Sequence, residues 1–344
     1  MKHYISTLLF IFLITCFISC EKTIEFKGAI SDPLLVMNGV LTPDSVVSIH
    51  LSQSRFILGD VVPFTHISDA TVSLFVNGSM KEQLTYDSEG IYRGTYFPKA
   101  GDEIKIEVIA SGHKAIKSQT VIPHPLNIVS DSTVTMLEEE YTSPGPQNIV
   151  FINKVRNMQV QLKLTDNINE ENYYYIKAIQ NFYRKDELVM NRMIELNLSE
   201  MLKNNSMDTD NIFEEIFGED GSTYLTDNLF SDFYVNGKEI LFDFSLSDAV
   251  ETTKYVNGEI VNNNNNEELE ATLEYIIEVG EFSKDMYQYV ISGNKAANAE
   301  DAGFSEPVQV HSNIENGIGI LGAYNNYRFV SRFETKSFPY YMPR

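Results

Sequence analysis

Apolar and polar residues alternate in short runs along the first third of this chain. Residues 47–51, 72–76 and 104–108 place an apolar side chain at every second position, which is the pattern of a half-buried β-strand. Asn77-Gly78 follows one run as a hairpin turn signal, and Gly112 comes soon after another as a turn. Short strands separated by turns roughly every 8–12 residues predict an all-β sandwich.

The rest of the chain repeats this alternation. Residues 160–164, 242–246 and 271–279 alternate, and residues 173–179 have the composition of a further strand. The run of five asparagines at residues 262–266 is typical of a solvated hairpin loop. We therefore expect a second β-rich part that is built from antiparallel strands.

A helical segment is predicted near the end of this second part. It runs from Ser283 to Ala297, with Ser283 as the N-cap and Asp285 in the first turn. A second helix is expected within residues 199–204 or within residues 211–217. One or two helices thus accompany the strands.

These patterns predict a mainly β protein with four regions. We expect a signal peptide over residues 1–19 and a tether over residues 20–32. An immunoglobulin-like or transthyretin-like β-sandwich then covers residues 33–125, and a larger, acidic, antiparallel β-rich domain with one or two helices covers residues 126–344. Residues 68–123 resemble the transthyretin-like or carboxypeptidase-regulatory class of seven-stranded module. The landmarks of that resemblance are Asp69-Ala70-Thr71-Val72, a turn, Tyr92, Gly101 and Gly112.

The first twenty residues have the pattern of a lipoprotein leader. Lys2 supplies a positive charge, an apolar run covers residues 4–18, and the small residue Ser19 directly precedes Cys20. The apolar run is too short to cross a bilayer as a helix. A small residue followed by cysteine predicts cleavage before Cys20 and acylation of its thiol. A plain secretory peptide, or a competing site at Cys16, remains an alternative.

The positions of the cysteines support this interpretation. Cys16 and Cys20 are the only two cysteines of the chain, so the body after Cys20 forms no disulfide and offers no thiol nucleophile. Each buried methylene of an acyl chain contributes about 0.8 kcal/mol, and two or more chains anchor a protein stably. A multiply acylated Cys20 would therefore hold the protein on a membrane.

Negative charge is concentrated in the second part of the chain. The formal net charge is −22, and residues 131–344 hold 16 lysines and arginines against 36 aspartates and glutamates. A chain without a basic patch does not suit a nucleic acid backbone, so we expect no nucleic acid partner. The acidity is explained by solubility, or alternatively by a face turned toward cations or a basic partner.

Sequence signatures of catalysis and of metal binding are absent. The chain has no H-E-x-x-H, C-x-x-C, P-loop or G-x-S-x-G motif, so we expect no enzyme activity, no metal and no cofactor. The histidines, among them His50 and His124, are interpreted as surface residues. Residues 207–211 resemble the start of a calcium loop, but Ile212 and Phe213 stand where a ligand and a glycine are needed.

Three other features have structural explanations that compete with functional ones. Tyr173-Tyr174-Tyr175 could form a stacking surface for a ligand, but alternation in a strand turns at least one of these tyrosines to the core. Glu138-Glu139-Glu140 and Glu219-Asp220-Gly221 are interpreted as solvated loop charges. Gly317 and Gly319 are interpreted as positions where two segments of backbone approach closely.

Several segments together resemble one family. They are the leader ending at Cys20, residues 35–45, 67–72, 121–123, 171–174, 229–232 and 236–238, and above all Glu306-Pro307-Val308-Gln309-Val310-His311-Ser312-Asn313-Ile314-Glu315-Asn316-Gly317-Ile318-Gly319-Ile320-Leu321-Gly322. This pattern resembles the lipoproteins of Bacteroidota that contain the domain of unknown function 4249. Asp44-Ser45-Val46 also fits the pattern at which surface proteins of such bacteria are O-glycosylated, which makes Ser45 a candidate.

The resemblance implies a partner and no catalytic residue. Members of the family tend to be encoded beside TonB-dependent outer-membrane transporters, so it implies a non-enzymatic accessory role in substrate capture or gating. A surface adhesin or glycan-binding module that acts without a transporter is the alternative. We expect an outer-membrane location, on the cell surface rather than the periplasmic face. The candidate docking loop comprises Ser312, Asn313, Glu315, Asn316, Gly317 and Gly319, and a structural turn is the competing interpretation of that loop.

Overall fold

Strands account for 59% of the residues that the structure describes, which confirms the mainly β fold class. The computed structural model describes residues 32–55, 64–130, 132–146, 148–196, 198, 228–260, 271–301 and 308–335. The second expected helix, at residues 199–204 or 211–217, and the asparagine run at 262–266 lie outside these ranges. One α-helix and one short 3-10 helix accompany the strands in the part that is described.

Seven strands form the N-terminal module. They are β1 (Leu35–Leu41), β2 (Ser48–Gln53), β3 (Thr71–Val76), β4 (Ser79–Tyr86), β5 (Ile91–Arg93), β6 (Glu103–Ile109) and β7 (Ile116–Val121). Strand β4 pairs with β3 along most of its length, while Thr85 and Tyr86 at its end pair with β5. The chain thereby passes from one sheet to the other, as in a sandwich. Asn77 and Gly78 both have positive φ in the β3–β4 turn, as the predicted hairpin requires.

The alternating residues of these strands fill a shared core. Leu74, Ile104 and Ile106 are fully buried, so the predicted inward faces of β3 and β6 are confirmed. Tyr92 is also buried, and its hydroxyl donates to the Ile67 carbonyl at 3.1 Å and accepts from the Ala70 amide at 2.9 Å. Because a buried hydroxyl needs such partners, Tyr92 joins the segment before β3 to the core.

Nine further strands and the helices form the C-terminal module. They are β8 (Thr133–Pro144), β9 (Ile149–Thr165), β10 (Tyr173–Arg184), β11 (Glu187–Ile194), β12 (Leu229–Ser231), the 3-10 helix (Asp232–Tyr234), β13 (Glu239–Val256), β14 (Glu259–Ile260), β15 (Ala271–Phe282), the helix α1 (Lys284–Asp301) and β16 (Ile318–Thr335). One sheet has the order β14-β13-β9-β8, and the opposing layer contains β11-β10-β15-β16. The core between them includes Val160, Phe242, Ile176 and Tyr275.

Strand β16 connects the two modules. Its first residues, from Ile318 to Ala323, pair in parallel with β1, and its remaining residues pair antiparallel with β15. Ile314, Leu321 and Ala323 are accordingly part of the N-terminal core. The two hydrophobic cores are therefore separate in space, although the residues that form them do not divide the chain at a single point.

Helix α1 confirms the predicted helix and continues four residues beyond its expected end at Ala297. The Ser283 carbonyl accepts from the Tyr287 amide at 3.0 Å, and the Ser283 hydroxyl accepts from the Ala323 amide at 3.0 Å. Ser283 thus fixes the start of α1 against β16, which its sequence position as an N-cap could not reveal.

Candidate functional site

Of the two predicted modification sites, Cys20 and Ser45, the structure describes only Ser45. Cys20 lies outside the described residues, so its lipidation stays a prediction. Ser45 lies in the exposed turn between β1 and β2, where its amide donates to the Thr42 carbonyl at 3.5 Å. An exposed turn is accessible to a modifying enzyme, and O-glycosylation of Ser45 also stays a prediction.

The segment predicted as a docking loop is held to the N-terminal module by Asn313. Its side-chain oxygen accepts from the Leu321 amide at 2.9 Å, and its side-chain nitrogen donates to the carbonyls of Leu321 at 2.9 Å and Gln119 at 3.3 Å. The Ser118 hydroxyl donates to the Asn313 carbonyl at 2.9 Å. One asparagine thus joins β7 to the start of β16.

The neighbouring polar residues extend this connection to β7. The Glu315 amide donates to the Lys117 carbonyl at 2.9 Å, and their side chains form an exposed ion pair at 3.1 Å. Asn316 has a positive φ of 61° and donates to the Ala115 carbonyl at 3.4 Å. Ser312 is exposed, and its hydroxyl accepts from the Ile314 amide at 3.4 Å.

Gly317 and Gly319 lie where backbone approaches backbone, as the sequence predicted. A Cβ atom at Gly317 would stand 2.7 Å from the Leu35 carbonyl oxygen, and one at Gly319 would stand 2.1 Å from that of Met37. Gly319 also has a φ of 116°, a value that side chains disfavour. These contacts support the structural turn, while a docking role for the exposed Ser312, Glu315 and Asn316 stays a prediction.

A second candidate surface lies at one end of the C-terminal module. We define the distal ribbon as residues 137–144 of β8, 149–157 of β9 and 247–256 of β13, together with β14. On β9, full burial at alternate positions begins only at Met158; of the nine preceding residues, Lys154 is exposed and the other eight are half-buried. The distal ribbon therefore extends beyond the described core of the C-terminal module.

One face of the distal ribbon combines apolar and polar side chains. Leu137 and Tyr141 on β8 are 58% and 50% exposed, and the half-buried Phe151 and Val155 on β9 lie on the same face of the sheet. This face also contains Glu139, which accepts from the Tyr141 hydroxyl and from the Asn157 side chain. The two exposed apolar side chains of β8, an edge strand, make this face a candidate contact surface.

The opposite face of the ribbon joins it to the body. The Arg156 guanidinium lies 4.0 Å from the Phe333 ring centre of β16 and forms an ion pair with Glu138. The hydrogen bond from Arg156 lowers the pKa of the Glu138 carboxyl. Glu138, Glu139 and Glu140 are residues of β8, so their interpretation as loop charges is wrong. Long strands were not expected here because the apolar residues of the distal ribbon follow no strict alternation.

A group of acidic residues surrounds Asn172 at the start of β10. The Asn172 amide donates to Asp232 at 2.9 Å, and the Asn172 side chain donates to Glu281 at 2.9 Å. Asp166 accepts from the Tyr174 hydroxyl and from the Gly237 amide, both at 2.6 Å. These bonds fix the loop between β9 and β10 against the turn that precedes β13.

Glu281 has the most strongly shifted carboxyl of this group. Burial, together with the nearby charges of Glu170, Asp166 and Asp232, raises its pKa to about 7 despite the hydrogen bond from Asn172. Burial also raises the pKa of Asp232. Asn172 is 3% exposed, and its side-chain oxygen has no hydrogen-bond partner. A proton held by Glu281 therefore reduces repulsion between carboxylates near neutral pH.

The three consecutive tyrosines are packing residues. Tyr174 and Tyr175 are both buried, and Tyr173 lies against Tyr287 of α1 with ring centres 4.7 Å apart. Tyr175 stacks on Phe282 at 4.4 Å between centres. The packing interpretation is confirmed, and the stacking surface for a ligand is wrong for Tyr174 and Tyr175. Both faces of β10 are covered, which the sequence of the strand alone did not indicate.

The described ranges contain no group of three His, Cys, Asp or Glu side chains placed to hold a metal ion. His311 contacts Asp285 at 2.9 Å between Nε2 and Oδ1, at the start of α1. No helix in the same ranges is long and apolar enough to span a bilayer.

The family of the chain follows from a comparison with family models. The model described as Domain of unknown function (DUF4249) matches residues 21–329. The chain belongs to the DUF4249 family. The match confirms the family suspected from the leader and the closing motif. A comparison of this DUF4249 protein with curated proteins gave no match.

Proposed function

We propose that this DUF4249 protein is a non-enzymatic outer-membrane lipoprotein that docks on a TonB-dependent transporter and assists substrate capture or gating. The observation that carries the proposal is the pair of exposed apolar side chains, Leu137 and Tyr141, on the edge strand of the distal ribbon. A protein that acts by contact needs exposed apolar side chains on a supported element, and these two lie on a sheet whose strands continue into the core.

The dimensions of the distal ribbon suit a partner that also uses its edge. Nine residues of β9 span roughly 30 Å, and three paired strands give a width of about 14 Å. A face of this area is smaller than the roughly 800 Å² per partner of a stable interface. Strand β8 is an edge strand of its sheet, so its unpaired backbone groups can extend the contact. A barrel protein with an exposed strand or loop would use both surfaces.

The leader supports the membrane part of the proposal. Cys20 follows a small residue at the end of an apolar run, and acyl chains on its thiol would place the body at a bilayer surface. The chain is acidic and carries no basic patch that would hold it to anionic lipids. Its contact with the membrane would therefore come from the acyl chains, which leaves the body free to dock on a protein.

Co-purification tests this function. The double variant Leu137→Gln and Tyr141→Gln removes two exposed apolar side chains without adding charge. The matched control is Thr135→Gln, an exposed residue on the same strand and face, beside the core. Extraction of membranes in mild detergent should recover a TonB-dependent transporter with the wild type and with the control, and at least about tenfold less with the double variant.

Two results would contradict the proposal. Wild-type protein that purifies without any barrel partner would remove the transporter role, and equal recovery with the double variant would remove the ribbon from it. In the first case, specific binding on a glycan array would favour the glycan-binding alternative.

A further inference from the structure

Two histidines that are distant in the sequence meet on the N-terminal module. The Nε2 atom of His50 and the Nδ1 atom of His66 are 3.1 Å apart, with ring planes inclined by 80°. Their spacing of sixteen residues matches no metal-binding signature, so the sequence pattern did not bring them together. At this distance one nitrogen donates a hydrogen bond and the other accepts it.

Backbone pairing places the two histidines side by side. His50 belongs to β2 and lies between β1 and β5. His66 forms an antiparallel bridge with Ser52 of the same strand. The Ile67 amide donates to the Leu51 carbonyl at 3.2 Å on one side of this bridge. His50 and His66 are therefore diagonal neighbours on one face of the sheet.

The distance between these nitrogens suits two ligands of one metal ion. A zinc ion binds imidazole nitrogen at about 2.0–2.1 Å, so two such nitrogens in a tetrahedral site are roughly 3.3 Å apart. The observed 3.1 Å differs from that separation by a few tenths of an ångström. Neutral imidazole is a preferred ligand of zinc, copper and nickel. The ring that donates would bind the ion as its other neutral tautomer, with its N–H on the ring nitrogen that does not bind the ion.

Gly90 lies close against the pair on one side. A Cβ atom at this position would stand 2.4 Å from the Leu51 carbonyl oxygen, 3.1 Å from His50 Nε2 and 3.2 Å from His66 Nδ1, so a side chain would not fit there. On the other side His66 is exposed and His50 is half-buried, and water can reach an ion bound there.

We propose that His50 and His66 form a binding site for a divalent transition metal ion, with water in the remaining coordination positions. No third His, Cys, Asp or Glu joins the pair among the described residues, so the ion exchanges readily. The site is independent of the distal ribbon and of the proposed docking function.

Calorimetric titration of the full chain with Zn²⁺ alone tests the site. The wild type should bind one more ion than His50→Gln or His66→Gln, or bind that ion at least about tenfold more tightly. The matched control His113→Gln changes a histidine outside the pair and should bind as the wild type does. Any zinc that binds to Cys16 or Cys20 contributes equally in every protein compared, since every variant keeps both thiols.

A second measurement separates the folded site from binding to the unfolded chain. Zn²⁺ should raise the thermal unfolding midpoint of the wild type and of His113→Gln more than that of His50→Gln or His66→Gln. Equal stoichiometry and affinity in the wild type and the two pair variants would overturn the proposal, because His50 and His66 would then form only a hydrogen-bonded pair. Circular dichroism confirms that each variant is folded.

Discussion

Leu41 pairs with Ala323 in parallel register, and the residue after Ala323 already pairs with Phe282 in the other sandwich. The pairing partner of β16 thus changes from β1 to β15 between two consecutive residues. It passes from the sheet of the N-terminal module to that of the C-terminal module without a break in the strand. Because one strand completes both sheets, we expect the two modules to stabilise each other and to unfold together.

The glycine at the parallel contact tests this connection. We expect Gly319→Ala to lower the free energy of unfolding by about 2–4 kcal/mol, because its φ is 116° and a Cβ atom would stand 2.1 Å from the Met37 carbonyl oxygen. Denaturant unfolding followed separately in each module measures the effect. Both modules should shift together if β16 couples them.

Gly293 provides the matched control for this substitution. It lies inside α1, and a Cβ atom there would meet nothing within 4 Å. Gly293→Ala should therefore raise the free energy of unfolding by roughly 0.5–1 kcal/mol. An unchanged unfolding midpoint in Gly319→Ala would contradict the tight parallel contact between β1 and β16.

We predict that Asn313 stabilises the fold, whether or not it also contacts a partner. Asn313→Ala removes three hydrogen bonds, so the amide and the carbonyl of Leu321 both lose the Asn313 side chain as a partner. We expect a loss of about 2–3 kcal/mol in the free energy of unfolding. The exposed neighbour Ser312 serves as control, and Ser312→Ala should change stability by less than about 0.5 kcal/mol. Comparable effects of the two substitutions would argue against the structural role of this turn.

Glu281 predicts a dependence of stability on pH. Its pKa is about 7 in the folded protein and 4.5 in a solvated carboxyl, so the folded state binds more protons between these values. This group therefore lowers the stability as the pH rises from about 4.5 to 7, and the loss is complete above 7. Glu281→Gln removes this titrating group. The loss in the free energy of unfolding between pH 5 and pH 8 should therefore be roughly 1–3 kcal/mol smaller in Glu281→Gln than in the wild type.

Thermal unfolding across this pH range provides the measurement. The exposed control Glu259→Gln, in the short strand β14, should keep the wild-type profile. If Glu281→Gln and the wild type differed equally at pH 5 and pH 8, the unusual pKa of Glu281 would be refuted.

Sequence alternation located many strands because half-buried strands must alternate. The runs at residues 104–108 and 271–279 lie in β6 and β15, and Ile104, Ile106, Leu273 and Ile277 are buried. The turn at Asn77-Gly78 was predicted for the same kind of local reason, since glycine readily adopts positive φ and asparagine tolerates it.

The burial of the polar residues on β15 could not be predicted from alternation. Glu274 is 3% exposed and binds Asn181 and Arg332, while Glu278 lies 2.6 Å from Lys177. These partners come from β10 and β16, which are remote in the sequence. The same limit applies to the parallel pairing of β1 with β16, because no local pattern announces a partner at the other end of the chain.

The sequence pattern predicted neither the distal ribbon nor the histidine pair, for two different reasons. The ribbon has no buried face to impose alternation, so its strand pattern is weak although its strands are long. His66 pairs with β2 beside His50 although sixteen residues separate the two histidines, and spacing alone contains no information about that pairing.

Photo-crosslinking in intact cells tests the docking account most directly. A photoreactive residue is introduced at position 141, on the same face of the distal ribbon as Leu137, and in a separate protein at position 135, on the same strand beside the core. The account predicts a crosslink to a TonB-dependent transporter from position 141 and little or none from position 135. Equal crosslinking from both positions, or none to a barrel protein from position 141, would contradict it.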